Sequence, residues 1–196
     1  MRRRTFDWLM STGGIVITVF LVVAGVLLFA GYKFADNNVH NQLAAQKIFF
    51  PPSGNEAITS LPGTDRPFVA KYAGQQLVNG AQAEVYADHF IAVHLKEIGG
   101  GQTYAQLSGK ALSEPDNAAL QGQVATMFKG ETLRGLLLNG YAFWKLGQIA
   151  KLGMWVAFIL AGVMGLLTIL GFWHLRKVTP EQELIAPTVE LHRASA

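Results

Sequence analysis

The densest run of side chains able to do chemistry is Glu84-Val85-Tyr86-Ala87-Asp88-His89, followed by His94, Lys96 and Glu97. Two carboxylates and two imidazoles so close together could hold zinc, manganese or iron. On an α-helix Glu84 and Asp88, four apart, share a face, His89 lies about 100° round from Asp88, and His94 about 80° from Glu84. His40 could add a ligand from a separate stretch. The spacing matches none of the established patterns: there is no Glu-x-x-His pair of the kind di-metal bundles use, and no His-Glu-x-x-His. The simpler reading makes Asp88, His89 and Lys96 solvated or ion-paired helix residues, and no cofactor is expected on this reading. A metal ion held by Glu84, Asp88, His89 and His94 is the alternative.

Other chemistries have less support. The chain has no cysteine, which removes disulfides, thiolate metal sites and a cysteine nucleophile. There is no Gly-x-Ser-x-Gly, and Ser53, Ser60, Ser108 and Ser113 have no neighbouring histidine in sequence. Gly99-Gly100-Gly101 follows a helix rather than a strand, so it is a stop signal and not a phosphate loop. A formal charge of +3 over 196 residues does not suggest nucleic acid.

The elements that must position these residues begin with two apolar runs. Leu9 to Tyr32 has 24 residues without a charge, and Leu152 to Trp173 has 22. At 1.5 Å per residue the first covers about 36 Å, enough to cross a hydrocarbon core of about 30 Å. A signal peptide has a shorter apolar core and a small-x-small cleavage site, so the first run reads as an anchor. Trp8, Tyr32, Trp155 and Trp173 sit where amphipathic rings mark the membrane interfaces. Gly14, Thr18 and Gly25 in the first run, and Ala157, Ala161 and Gly165 in the second, are small residues suited to close helix packing. Arg2, Arg3 and Arg4 precede the first run, and Arg176 and Lys177 follow the second. Basic flanks stay in the cytoplasm, which predicts a plasma-membrane protein with both termini inside.

Residues 33 to 151 then lie outside. No alternating strand pattern occurs there, so the region is expected to be all-α with four or five helices. The first helix should continue outward to about Phe50, where Pro51-Pro52 stops it. Residues 51 to 66 read as an irregular loop, and Pro67 to Ile98 as a helix with weak points at Gly74 and Gly80. Thr103 should cap a short helix to about Leu112, and Asp116 or Asn117 a further one to Phe128. Glu131 to Lys151 should lead as a helix into the second span, and residues 174 to 196 form a flexible cytoplasmic tail. The expected fold is therefore an all-α membrane protein: two transmembrane helices, 9–32 and 152–173, flanking an extracytoplasmic helical domain, after a basic segment 1–8.

The strings WLMSTGGIVITV, NNVHNQLAAQKIFFPP, AQAEVYADHFIAVHLKEI, TYAQLSG and ETLRGLLLNGYAFWKLGQIA resemble those of a group of actinobacterial two-span membrane proteins. The likeness covers most of the chain and implies a cell-envelope membrane protein. Some members are labelled as aromatic ring-opening dioxygenases, and such an activity implies a metal triad drawn from His40, Glu84, Asp88, His89 and His94. The composition itself points to a non-enzymatic anchored domain acting through the bilayer and through other membrane or envelope proteins, or a second copy of itself.

Overall fold

A computed structural model describes residues 3–177. Helix α1 is Arg3–Gln46 and helix α7 is Ala118–Leu175, each long and apolar enough to cross a membrane. Between them lie α2 (Glu56–Thr59), α3 (Arg66–Ala70), α4 (Gly80–Val85), a π-helical segment (Tyr86–Ile91), α5 (Ala92–Ile98) and α6 (Tyr104–Ser113). No strand forms among the described residues. The described residues divide into two compact units, one made of residues 3–30 and 151–177, the other of residues 31–150.

The first unit is an antiparallel helix pair. Its register can be read from its glycines, where an added Cβ would meet the facing helix. Gly171 faces Ser11, Gly14 faces Thr168, Gly165 faces Thr18, Gly25 faces Phe158 and Gly153 faces Leu28. Positions thus descend along α7 as they ascend along α1. At Gly25 the added carbon would lie 2.7 Å from the Phe158 ring, so only glycine permits this spacing. Ala157 and Ala161 are buried on the same seam. The Thr18 hydroxyl donates to the Gly14 carbonyl at 2.7 Å, which satisfies it within its own helix. Val16, Phe20, Leu27, Leu160 and Leu166 face outward and are exposed.

The second unit buries its apolar side chains. Ala35, Val39 and Leu43 recur every four residues on one face of α1 and are buried there. Val39 and Leu43 join Phe50, Ile58, Leu61, Val69, Leu77, Val85 and Leu137 in one core. A smaller core of Leu95, Leu107, Ala111, Leu120 and Met127 lies among α5, α6 and the start of α7. Helix α1 ends at Gln46, where Lys47 takes a left-handed φ of 52° that no longer continues the helix.

Several local expectations are corrected. The supposed loop 51–66 contains α2, whose first turn is capped by the Asn55 side chain accepting from the Ala57 N–H. The supposed helix 67–98 breaks after α3. Gly74, at φ +72°, turns the chain back so that Gln76 forms an antiparallel bridge with Phe49. The Phe50 N–H donates to the Gln75 carbonyl and the Leu77 N–H to the Ile48 carbonyl, both at 2.9 Å. These long-range bonds outweigh the helical pattern that Phe68, Tyr72 and Val78 present. The helix resumes at Gly80, where any side chain would strike Trp144. The two helices expected over 117–128 and 131–151 are one, since α7 runs through Gly130 unbroken. Thr103 does cap α6, through a reciprocal box with Gln106. The tail from residue 178 lies outside the described residues.

Candidate functional site

The titratable cluster lies on the π-helical segment and its flanks. There the Ala92 N–H reaches the Ala87 carbonyl, five residues back instead of four. That extra residue shifts the register, so the angles an ideal α-helix would give between Glu84 and His94 do not hold. π-Segments within helices often accompany functional sites. Here the segment points Asp88 and His89 at two different neighbours.

Asp88 accepts from the Arg134 guanidinium of α7, at 2.9 Å from Nη2 and 3.2 Å from Nε. The Asp88 bond is the main cause holding the Arg134 cation above its ordinary value, with Glu131, 3.5 Å from Nη1, a smaller one. Both partners are about one-third exposed, so solvent screens the pair and its net contribution to stability is modest.

His89 turns the other way. Its Nδ1 lies 2.8 Å from Asp65 Oδ1, and its ring stacks on Phe68 at 4.1 Å and 5°. A carboxylate accepts, so the imidazole donates from Nδ1. Asp65 occupies the N-cap position of α3 yet makes no capping bond. One of its oxygens is engaged by His89 and the other accepts from the Thr64 hydroxyl at 2.9 Å. The hydrogen bond from His89, then that from Thr64, hold the Asp65 carboxyl below its usual range.

His94 donates from Nδ1 to the Phe90 carbonyl one turn back, at 2.7 Å, and rests against the Phe90 ring. This bond fixes the tautomer and leaves Nε2 as the free ring nitrogen. Glu84 is half-buried on α4, and His40 is exposed on α1. Among the described residues, no three His, Cys, Asp or Glu side chains converge in a way that could hold a metal ion. The residues singled out for a metal are therefore not brought together. Asp88, His89 and His94 each serve a different structural bond.

The six small residues singled out for packing fall at or beside the helix seam: Gly14, Thr18, Gly25, Ala157, Ala161 and Gly165. Sequence reading missed Ser11, Thr168 and Gly171, which continue that seam. Their signal was available, since Ser11 lies three before Gly14 and Thr168 three after Gly165. It missed Asp65 and Arg134 altogether as partners of the cluster. They lie 24 and 46 residues from the histidine and aspartate they bind, beyond any local pattern.

A row of apolar side chains on α7 was also missed. Phe128, Leu136, Phe143, Leu146 and Ile149 are exposed although they lie within the unit of residues 31 to 150. Phe143 meets the Phe34 ring in an edge contact at 6.2 Å. The chain matches no protein-family model, no curated protein and no solved structure.

Proposed function

We propose that this is a non-enzymatic integral membrane protein of the cell envelope. Its two long helices anchor it, with both termini cytoplasmic and residues 33 to 151 displayed outside as an accessory or interaction domain. The observation that carries the interaction role is the exposed row Phe128, Leu136, Phe143, Leu146 and Ile149 on one helix. Isolated surface apolar residues are ordinary, but Leu136, Phe143 and Leu146, which fall within about 80° of one another on α7, mark a contact surface. The anchoring rests on the two apolar runs and the basic residues flanking them.

A photoreactive amino acid placed at Leu136 or Leu146 in cells tests the role. A discrete crosslinked species is expected from both positions, and none from Lys110, exposed on α6. An adduct of twice the chain mass identifies a second copy, and any other discrete mass a different subunit. No discrete species from either α7 position would overturn the interaction role. The absence of cysteine permits a clean test of the sides. Cysteine at Ser53 should react with an impermeant thiol reagent in intact cells and cysteine at Ser195 should not. The reverse pattern would overturn the orientation.

A further inference from the structure

A cavity of about 310 Å³ opens between α5 and α7, within the unit of residues 31 to 150. Its apolar wall comes chiefly from Phe90, Ile91, Leu95 and Leu133. Its volume is that of about ten water molecules in the liquid, far beyond a packing fault, and at the lower end of small-ligand sites. A wall of this kind holds water poorly. Gly130 keeps the two helices close here, because any side chain on it would strike Leu95.

The polar side chains on the lining are few: Lys129, His94 and Thr126, whose hydroxyl donates to the Gly122 carbonyl at 3.0 Å. Lys129 is exposed at the edge and makes no ion pair among the described residues. His94 lines the cavity with its Nδ1–H committed to the Phe90 carbonyl, so in the neutral ring Nε2 accepts and offers no donor to an anion. Among the described residues, no carboxylate lines the cavity. The nearby acids on the same elements are otherwise placed: Asp88 and Glu131 engage Arg134, and Glu97 is exposed off the lining. An apolar wall with one ammonium lacking an ion pair at its edge, and no carboxylate on its described lining, complements an anion attached to an apolar body.

From this geometry we propose that the cavity binds a small single-chain amphiphile with a carboxylate head, its alkyl body against Phe90, Leu95 and Leu133 and its head at the Lys129 ammonium. This goes beyond the interaction role, which concerns a different row of α7 side chains. The occupant is a free acid rather than a bilayer phospholipid, because the volume accommodates one short chain and not two long ones.

The test uses the full chain in phosphatidylcholine nanodiscs and decanoic acid carrying a photoreactive diazirine. Adducts are expected on peptides covering residues 90–98 and 126–133. Unlabelled decanoate should compete best, decanol less well, and decyltrimethylammonium least. Lys129→Gln removes the edge charge at an exposed position and should weaken decanoate competition about two- to fivefold, bringing it to the level of decanol. Thr126→Trp, at an exposed position on the lining, should fill the cavity and abolish these adducts while the circular dichroism spectrum stays unchanged. Adducts confined to residues 9–32 and 152–173 would overturn the proposal. So would adducts that persist in Thr126→Trp, or equal competition by the cationic amphiphile.

Discussion

In the helix pair, Gly14 and Gly25 face Thr168 and Phe158, whereas in residues 31 to 150 Gly80 and Gly130 face Trp144 and Leu95. All four positions lack room for a side chain, but the contacts around them are held by different forces. The pair buries mostly small residues such as Ala157 and Ala161, with Met154 the large exception, and leaves Phe20, Leu27 and Leu166 outside. The other unit fully buries Phe50, Leu61, Leu77 and Leu137. With lipid around the pair, as proposed, hiding a leucine gains little, since lipid is as apolar as the leucine. Close backbone approach and dispersion then hold the helices together. In residues 31 to 150, which bury large apolar side chains, removal of apolar surface from water dominates.

The largest expected effect sharpens that contrast. Leu137→Ala opens a cavity in a core where the side chain is 1% exposed, and should cost about 2–5 kcal/mol. Leu160→Ala, on an exposed position of the helix pair, should cost far less. Thermal midpoints of the purified chain compare the two. Equal losses would break the distinction between a water-facing core and a lipid-facing pair.

Gly25→Leu should come next, at about 1–3 kcal/mol, because the added chain must displace the Phe158 ring or push the helices apart. A disulfide between cysteines at Ser11 and Gly171 reports the spacing, since the Ser11 hydroxyl lies 2.5 Å from where a Gly171 Cβ would stand. The crosslink should form readily in the parent chain and poorly with Gly25→Leu. Unchanged crosslinking would show that the ring simply turns aside.

How much of this was legible beforehand follows the range of the interactions. The apolar runs and the caps at Thr103 and Asn117 are local, since each depends on residues within a few positions. The all-helical character follows from the same local patterns. The break after α3 was not legible, because the bridge of Gln76 to Phe49 joins residues 27 apart in sequence. The fate of the titratable cluster was hidden for the same reason. Nothing near His89 in sequence indicates Asp65, and the π-helical turn that aims it has no hydrophobic period of its own. The continuity of α7 through Gly130 was masked by glycine's low helix propensity, which close packing on Leu95 offsets.

A third contrast lies within residues 31 to 150, where the Asp65–His89 bond ties α3 to the π-helical segment. The carboxyl of Asp65 is held below its usual range, chiefly by the bond from His89. A depressed carboxyl contributes stability that is fully present above the unfolded value of about 4 and is lost as the pH falls through the lower folded value. The thermal midpoint should therefore fall on acidification below about pH 4. Asp65→Asn keeps the shape but weakens the bond, and should cost about 1–2 kcal/mol at neutral pH and flatten that part of the acid profile. The Ser11–Gly171 crosslink should not respond to this change. An unaltered acid limb in Asp65→Asn would show that other carboxylates control it.

The smallest effect comes from the residue beside the one with the largest. Leu136 precedes Leu137 on α7 but is 63% exposed, one of the row Phe128, Leu136, Phe143, Leu146 and Ile149. Successive helix positions lie about 100° apart, so the two leucines face different surroundings despite their adjacency. In the isolated chain Leu136→Ala removes surface that is already mostly in contact with solvent or detergent, and the change in stability should stay within about 0.5 kcal/mol. The same replacement should reduce crosslinking from a photoreactive residue at Leu146 in cells, because it removes part of the proposed contact surface. Stability and contact then separate at one side chain. A loss above about 1 kcal/mol in the isolated chain would mean that Leu136 is already covered there, by detergent-resistant self-association. A neutral effect on both readouts would remove Leu136 from the contact surface and shift it toward Phe143 and Ile149.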